Sequence, residues 1–271
     1  MRPFLYLILF SAQLFAADAW FIISGNEKNP YWIKYTQGIK RACDLHKIDC
    51  KISFTRSNDP IGQAKKMLKA MSSKPLGISI NVPNVQQLST LLKQANVNQY
   101  PLVISSTGLK YYRDLKLKNY VGVNLTLLRA MIREHLRDED FDNLLISSYA
   151  IADKDHDDFI NSLHDGNRQA HITHPDDIES SIEKFGDRPL TIITFGGAPS
   201  ERCYQALKKN PKRQVKWIQI DGVESTRALT WTQISTQPFV QGYRSVMTII
   251  ENAKQSDAFA QEVLVKPKTI L

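Results

Sequence analysis

Four of the six histidines, His156, His164, His171 and His174, fall within nineteen residues, beside Asp153, Asp155, Asp157 and Asp158. Imidazole and carboxylate together are ligands for zinc and other transition metals. Their spacings match no common metal motif, and a strand through "HITH" would turn His171 and His174 to opposite faces. They read as solvated helix and turn residues, and no metal is expected. A glycine loop, "FGGAPSER" from Phe195 to Arg202, enters a helix and could cradle an anion with backbone N–H groups. It lacks the Lys-Ser/Thr of a phosphate loop and the spacing of the dinucleotide fingerprint, and backbone freedom accounts for its glycines as well. No Gly-x-Ser-x-Gly elbow occurs, no Cys–His pair stands out, and the carboxylates of "RDEDFD" belong to a solvated loop. Neither an enzyme nor a cofactor is the expected reading.

The stretch with more to say is "SGNEKNPYWIKYTQG", Ser24 to Gly38. Asn29 suits a helix N-cap and Pro30 a first helical position. Tyr31 and Trp32 then stand side by side in the first turn, about 100° apart around the helix, so they cannot share the centre of one packing stripe. Trp32, Tyr35, Ile39, Ala42 and His46 fall on one stripe, which makes Trp32 a core candidate and leaves Tyr31 at its edge. Flat aromatic faces also suit the apolar side of a sugar ring or a cation, so both uses stand open.

The elements that must position these residues alternate along the chain. Apolar strands are expected at 20–24, 50–54, 76–80, 101–105, 120–123, 143–148, 170–173, 190–195, 215–220 and 229–235, with amphipathic helices between them. Such alternation predicts an α/β chain with mainly parallel sheets covered on both faces. Residues 20–105 form one set and 120–220 another, separated by the polar connector "STGLKYYRDLKLKN". A last helix from Pro238 must pack on one of the two.

The first residues, "MRPFLYLILFSAQLFAADA", carry one Arg, an apolar run and then small residues. The run is shorter than the roughly 20 residues of a membrane span, so residues 1–17 read as a secretory signal peptide. The mature chain is expected to begin near Asp18, in an oxidising compartment and with no segment inserted in the membrane. There Cys43 and Cys50, joined by "DLHKID", are placed for a disulfide across a helix-to-strand turn, or are two small buried residues. Cys203 has no local partner and reads as a buried thiol. The net charge of +8 comes from Lys and Arg mixed with acids, and the densest basic run, Leu207 to Lys216, reads as a solvated helix end; no nucleic-acid partner is expected.

Four stretches fall in order along the chain: "NPYW" after the first strand, "DPIGQAKKMLKAMSSKPLGISINVPNVQQLSTLLKQANVNQYPLVISST", "IQIDG" at 218–222 and "ISTQPFVQGYRSVMTII". On these the sequence resembles, over essentially the whole mature chain, the type I periplasmic binding proteins of the ribose and galactose type. The resemblance implies two Rossmann-like lobes joined by a three-segment hinge, with a ligand cleft between them. The expected division is 18–106 plus 237–257 for the first lobe and 107–236 plus 258–271 for the second. The implied ligand is small and polar, commonly a sugar, with stacking by Tyr31 and Trp32, hydrogen bonds from Asn29 and Asp221, and weaker contacts from Thr107, Asp155 and Gln237. Other family positions depart: the usual Asp-Arg pair falls at Thr107 and Gly108, an Arg falls near Asp155, an Asn-Asp falls at Gly196 and Gly197, and a Gln falls at Thr236. The implied function is capture of a solute in the periplasm by a monomer that is read by a membrane permease or a sensor-kinase domain. The alternative is a sensory adaptor whose small-ligand site is degenerate or absent.

Overall fold

A computed structural model describes residues 18–56, 59–83, 86–97, 100–107, 109–136, 143–148, 154–163, 169–254 and 260–270. The order is β1 (Ala19–Ser24), α1 (Pro30–His46), β2 (Cys50–Thr55), α2 (Pro60–Ser72), β3 (Gly77–Ile80), α3 (Ser89–Val97), β4 (Leu102–Ser105), α4 (Leu109–Asp114) and β5 (Asn119–Val123). It continues with α5 (Leu125–Leu136), β6 (Asn143–Ser147), α6 (Lys154–Asn161), β7 (Gln169–Thr173), α7 (Ile178–Lys184), β8 (Leu190–Phe195), α8 (Gly197–Lys209) and β9 (Val215–Ile220). Then come β10 (Thr232–Ser235), α9 (Pro238–Lys254), β11 (Gln261–Val265) and β12 (Lys268–Ile270). No helix among the described residues is long and apolar enough to cross a membrane.

Two six-stranded sheets result, ordered β11-β5-β4-β3-β1-β2 and β12-β10-β9-β8-β6-β7, every pairing parallel except β10 with β12. Successive side chains on a strand face opposite sides, so each sheet feeds two cores. On the first sheet Ile22, Ile78, Ile80 and Ile104 meet Met67 of α2, Leu92 of α3 and Tyr112 of α4. Phe21, Ile23, Val103 and Val121 meet Tyr35 and Ile39 of α1 and Val246 and Ile249 of α9 on the other side. The second sheet is covered by α5 and α6 on one face and by α7 and α8 on the other. Cys203 lies fully buried in that last layer, and burial holds its thiol pKa well above the ordinary value. Cys43 and Cys50 are bonded, tying the end of α1 to the start of β2 with Cα atoms 6.2 Å apart.

The expected lobe boundaries need correction. β5 pairs with β4 and β11 pairs with β5, so both belong to the first sheet, although the sequence reading assigned 107–236 and 258–271 to the second lobe. The connector misled because α4 exposes Arg113 and Asp114 while its Tyr112 is buried and packs 5.5 Å from Tyr120 of β5. The chain therefore crosses between sheets at Asn124, at Thr236–Gln237 and at Lys266–Pro267. The crossings are tied together: Asn124 N donates to Val265 O at 2.9 Å, and Gln237 Nε2 donates to Lys266 O at 2.6 Å.

The last helix returns to the first lobe and lies backbone-to-backbone against α1. A Cβ at Gly38 would sit 2.0 Å from the Phe239 carbonyl oxygen, and one at Gly242 would sit 2.0 Å from that of Tyr35. Gly38→Ala should thus destabilise the chain by about 1–3 kcal/mol or more, the cost of overpacking, read as a lower urea midpoint. Gln37→Ala, one position away on the exposed face, should change stability by less than about 0.5 kcal/mol.

Candidate ligand cleft between the lobes

The site begins with the start of α1. Asn29 is extended, and its side-chain oxygen accepts from Tyr31 N at 2.9 Å, so the cap spends the polar atom that was a candidate ligand contact. Gly25 precedes it at φ 157°, where an added Cβ would fall 2.2 Å from Trp32 Nε1. The indole thus lies on the Gly25 backbone, and Trp32 is 9% exposed within the α1/α9 core. Tyr35, Ile39 and Ala42 of the expected stripe are buried with it, while His46 is exposed. The paired aromatics interlock instead of forming two open faces: Tyr31 meets Trp32 edge-on at 4.7 Å, and Trp32 meets Tyr35 edge-on at 5.4 Å.

Tyr31 is half-buried at the seam. Its Oη reaches Ser106 Oγ and Gln241 Oε1, each at 3.1 Å. Gln241 Nε2 donates to Thr236 O at 2.7 Å, and Thr236 in turn serves Asp221. The Asp221 carboxylate accepts from Thr236 N at 2.9 Å, from Thr236 Oγ1 at 2.5 Å and from Ser235 Oγ at 3.3 Å. A continuous polar chain therefore runs from β4 through α1 and α9 to the second crossing and the end of β9. Removal from water raises the Asp221 carboxyl pKa above its ordinary value, opposed by the Thr236 and Ser235 bonds and by the Lys34 charge. Burial likewise raises the Tyr31 phenol well above its ordinary value; the Ser106 bond opposes this and the Asp221 charge adds to it.

The lobes also touch through Pro30 and Gly197. A Cβ on Gly197, at the start of α8, would meet the Pro30 ring at 3.4 Å and Val223 at 2.9 Å, so this glycine of "FGGAPSER" admits the tip of the opposite lobe. Thr107 Oγ1 accepts from Asn81 Nδ2 at 2.8 Å, and Asn81 Oδ1 accepts from Ser24 N at 3.0 Å, linking the ends of β1, β3 and β4. Gln237 lies at the crossings, lining a groove of about 590 Å³ with Lys34, Phe239 and Lys268. The side chains of Asp155 and His156, and all of His164, lie outside the described residues. His171 packs against Phe185, and His174 accepts from Asp176 N at the start of a 3₁₀ turn. Asn29, Tyr31, Thr107 and Asp221 thus come to the strand ends, with Gln237 to one side. Ser106, Thr236 and Gln241, which complete the network, carried little signal, since two of them meet Tyr31 across 75 and 210 residues of chain.

No protein-family model matches the chain, nor does any curated protein. Solved structures do. A carbohydrate transporter from Acidothermus cellulolyticus, in complex with myo-inositol, superposes with a TM-score of 0.79 at 17% identity over 94% of this chain and 93% of its own. The periplasmic sugar binding protein of an ABC sugar transporter from Legionella pneumophila gives 0.79 at 18% identity over 92% and 98%. The XylFII–LytSN complex gives 0.77 at 18% over 94% and 97%. The chain has the fold of the type I periplasmic binding proteins. At these identities the likeness fixes the fold, with its two lobes and three crossings, and leaves the ligand to the chemistry of the cleft.

The carboxyl of Asp221 is easier to protonate in the folded chain than in the unfolded one. Its contribution to stability is therefore full at low pH and is lost as pH rises through the folded pKa. Asp221→Asn keeps a carbonyl oxygen for the Thr236 amide and removes the charge. Its Tm minus that of the parent chain should rise between pH 4 and pH 8; a difference that is flat or falls with pH contradicts the assignment.

Proposed function

We propose that this chain is an exported solute-binding protein whose lobes close on a small polar ligand of sugar or sugar-like type. The single observation that carries this reading is the convergence of Tyr31 and Asp221, from opposite lobes, at the carboxyl ends of the two sheets, where ligands of open parallel sheets lie. A ligand touching both lobes favours the arrangement in which they meet, without covalent chemistry. The apolar opening segment and the Cys43–Cys50 bond support export to the periplasm, where a permease or a sensor domain would read the joined lobes.

One observation favours a second reading, that of a sensory adaptor. Asn29 Oδ1, Tyr31 Oη, Thr107 Oγ1 and the Asp221 carboxylate already have partners within the chain, and a bond that replaces an existing one gains little. Among the similar folds, XylFII is complexed with LytSN. A thermal-shift panel on residues 18–271, covering sugars, inositols and other polyols, separates the two. Under the solute-binding reading at least one compound at 100 times its Kd adds about 2.7 kcal/mol, a rise of several degrees in Tm. A flat panel together with retained binding to a periplasmic sensor domain would establish the adaptor instead.

A further inference from the structure

A separate pocket of about 250 Å³ lies between α4 of the first lobe and α5 and α6 of the second. None of Asn29, Tyr31, Thr107, Asp221 or Gln237 lines it. Leu109, Leu125 and Phe159 make its apolar wall, and among the described residues its charged groups are Arg113 and Asp114 from one lobe and Arg129 and Asp158 from the other. These charges differ in their commitments. Arg113 is held by both oxygens of Glu262, at 2.7 and 3.2 Å, and Asp158 has an interaction of its own. The Arg129 guanidinium lies over the Phe159 ring at 5.9 Å, and its Nε is buried with no hydrogen-bond partner among the described residues.

An unsatisfied buried N–H on a cation is costly, and a carboxylate is the acceptor that a guanidinium fork matches best. A lone anion would meet Asp114 and Asp158, and a lone cation would meet Arg113 and Arg129. A ligand carrying both charges meets neither repulsion. We propose that this pocket is a second ligand site, for a small zwitterion of the α-amino acid class. Its carboxylate pairs with Arg129, its ammonium with Asp114, and its apolar body rests on Phe159, Leu109 and Leu125. The volume is just below the roughly 300 Å³ at which drug-sized sites begin, which suits a molecule of this size. Because Arg129 and Asp114 belong to different lobes, the ligand bridges them and favours the same joined arrangement as a ligand in the main cleft. The two sites then help each other, by the same factor in each direction.

The test is titration calorimetry of residues 18–271 with the common amino acids singly, and with acetate and methylammonium as single-charge probes. At least one amino acid should bind saturably while neither single-charge probe does. Arg129→Gln and Asp114→Asn should each weaken that binding at least tenfold, with near-ultraviolet circular dichroism confirming the fold. If Arg129→Gln does not fold, Arg129→Lys, which keeps the charge and loses the fork, replaces it with the same expectation. Absence of binding by every amino acid overturns the proposal, as does undiminished binding by Arg129→Gln. Loss of binding in Asp221→Asn with retention in Arg129→Gln would move the amino acid to the main cleft, also against it. Whether any sugar binds in the earlier panel decides none of these outcomes.

Discussion

The backbone contact between α1 and α9 sets the geometry on which the rest of the molecule depends. Gly38 and Gly242 let the two helices approach until carbonyl oxygens occupy the space where side chains would begin. At that distance Tyr31 on one helix and Gln241 on the other come within a hydrogen bond, and Tyr35 reaches Ser245 at 3.0 Å one turn further on. Since α9 starts directly after the second crossing, its docking on α1 also fixes where Thr236 and Gln237 leave the second sheet. A wider helix pair would break the Tyr31–Gln241 link and separate the hinge from the seam. Close packing is discontinuous in this sense: it is either made or lost.

The polar chain built on that contact is held in backbone shapes that non-glycine residues seldom adopt. Among the described residues six that are not glycine have positive φ, and they divide cleanly. Lys47, Lys74 and Lys116 end helices, where a left-handed residue is a common way to stop. Ser106 (φ 66°), Asp221 (φ 50°) and Gln237 (φ 58°) follow strands or a crossing and stand around the seam. Each such conformation costs of order 1–3 kcal/mol and persists because neighbouring bonds over-determine it. The bonds from Ser235 and Thr236 to Asp221, and from Gln237 to Lys266, supply that constraint. Strain located at the crossings is strain that a change of lobe arrangement can relieve or reapply.

Much of this was legible in the sequence. Nine of the ten expected strands form within a residue of their expected ends, because strands of a covered parallel sheet are continuous apolar runs; the one expected at 229–235 begins only at Thr232, after a 3₁₀ turn over Glu224–Leu229. The start of α1 was legible for the same local reasons, in Asn29 and Pro30. What escaped was non-local or weakly marked. β11 and β12 are short edge strands with half-buried residues, "QEVLV" and "KTI", and periodicity does not distinguish these from a tail. Asp221 was legible as a residue of interest in "IQIDG", but its partners at 235 and 236 were not, so its work at the crossing was hidden. Trp32 carried two readings, and the structure places it in the core, with the Gly25 backbone laid across its indole.

The division of the tail bears on how the molecule is made. β11 closes the edge of the first sheet and β12 the edge of the second, and both lie within residues 261–270. Neither lobe is a continuous stretch of chain, so neither can complete its sheet as it emerges, and long-range pairings of this kind are slow to form. During vectorial synthesis both sheets wait with an open edge for the same ten residues. Their arrival closes both sheets at once, and the crossing at Lys266–Pro267 joins the lobes only then.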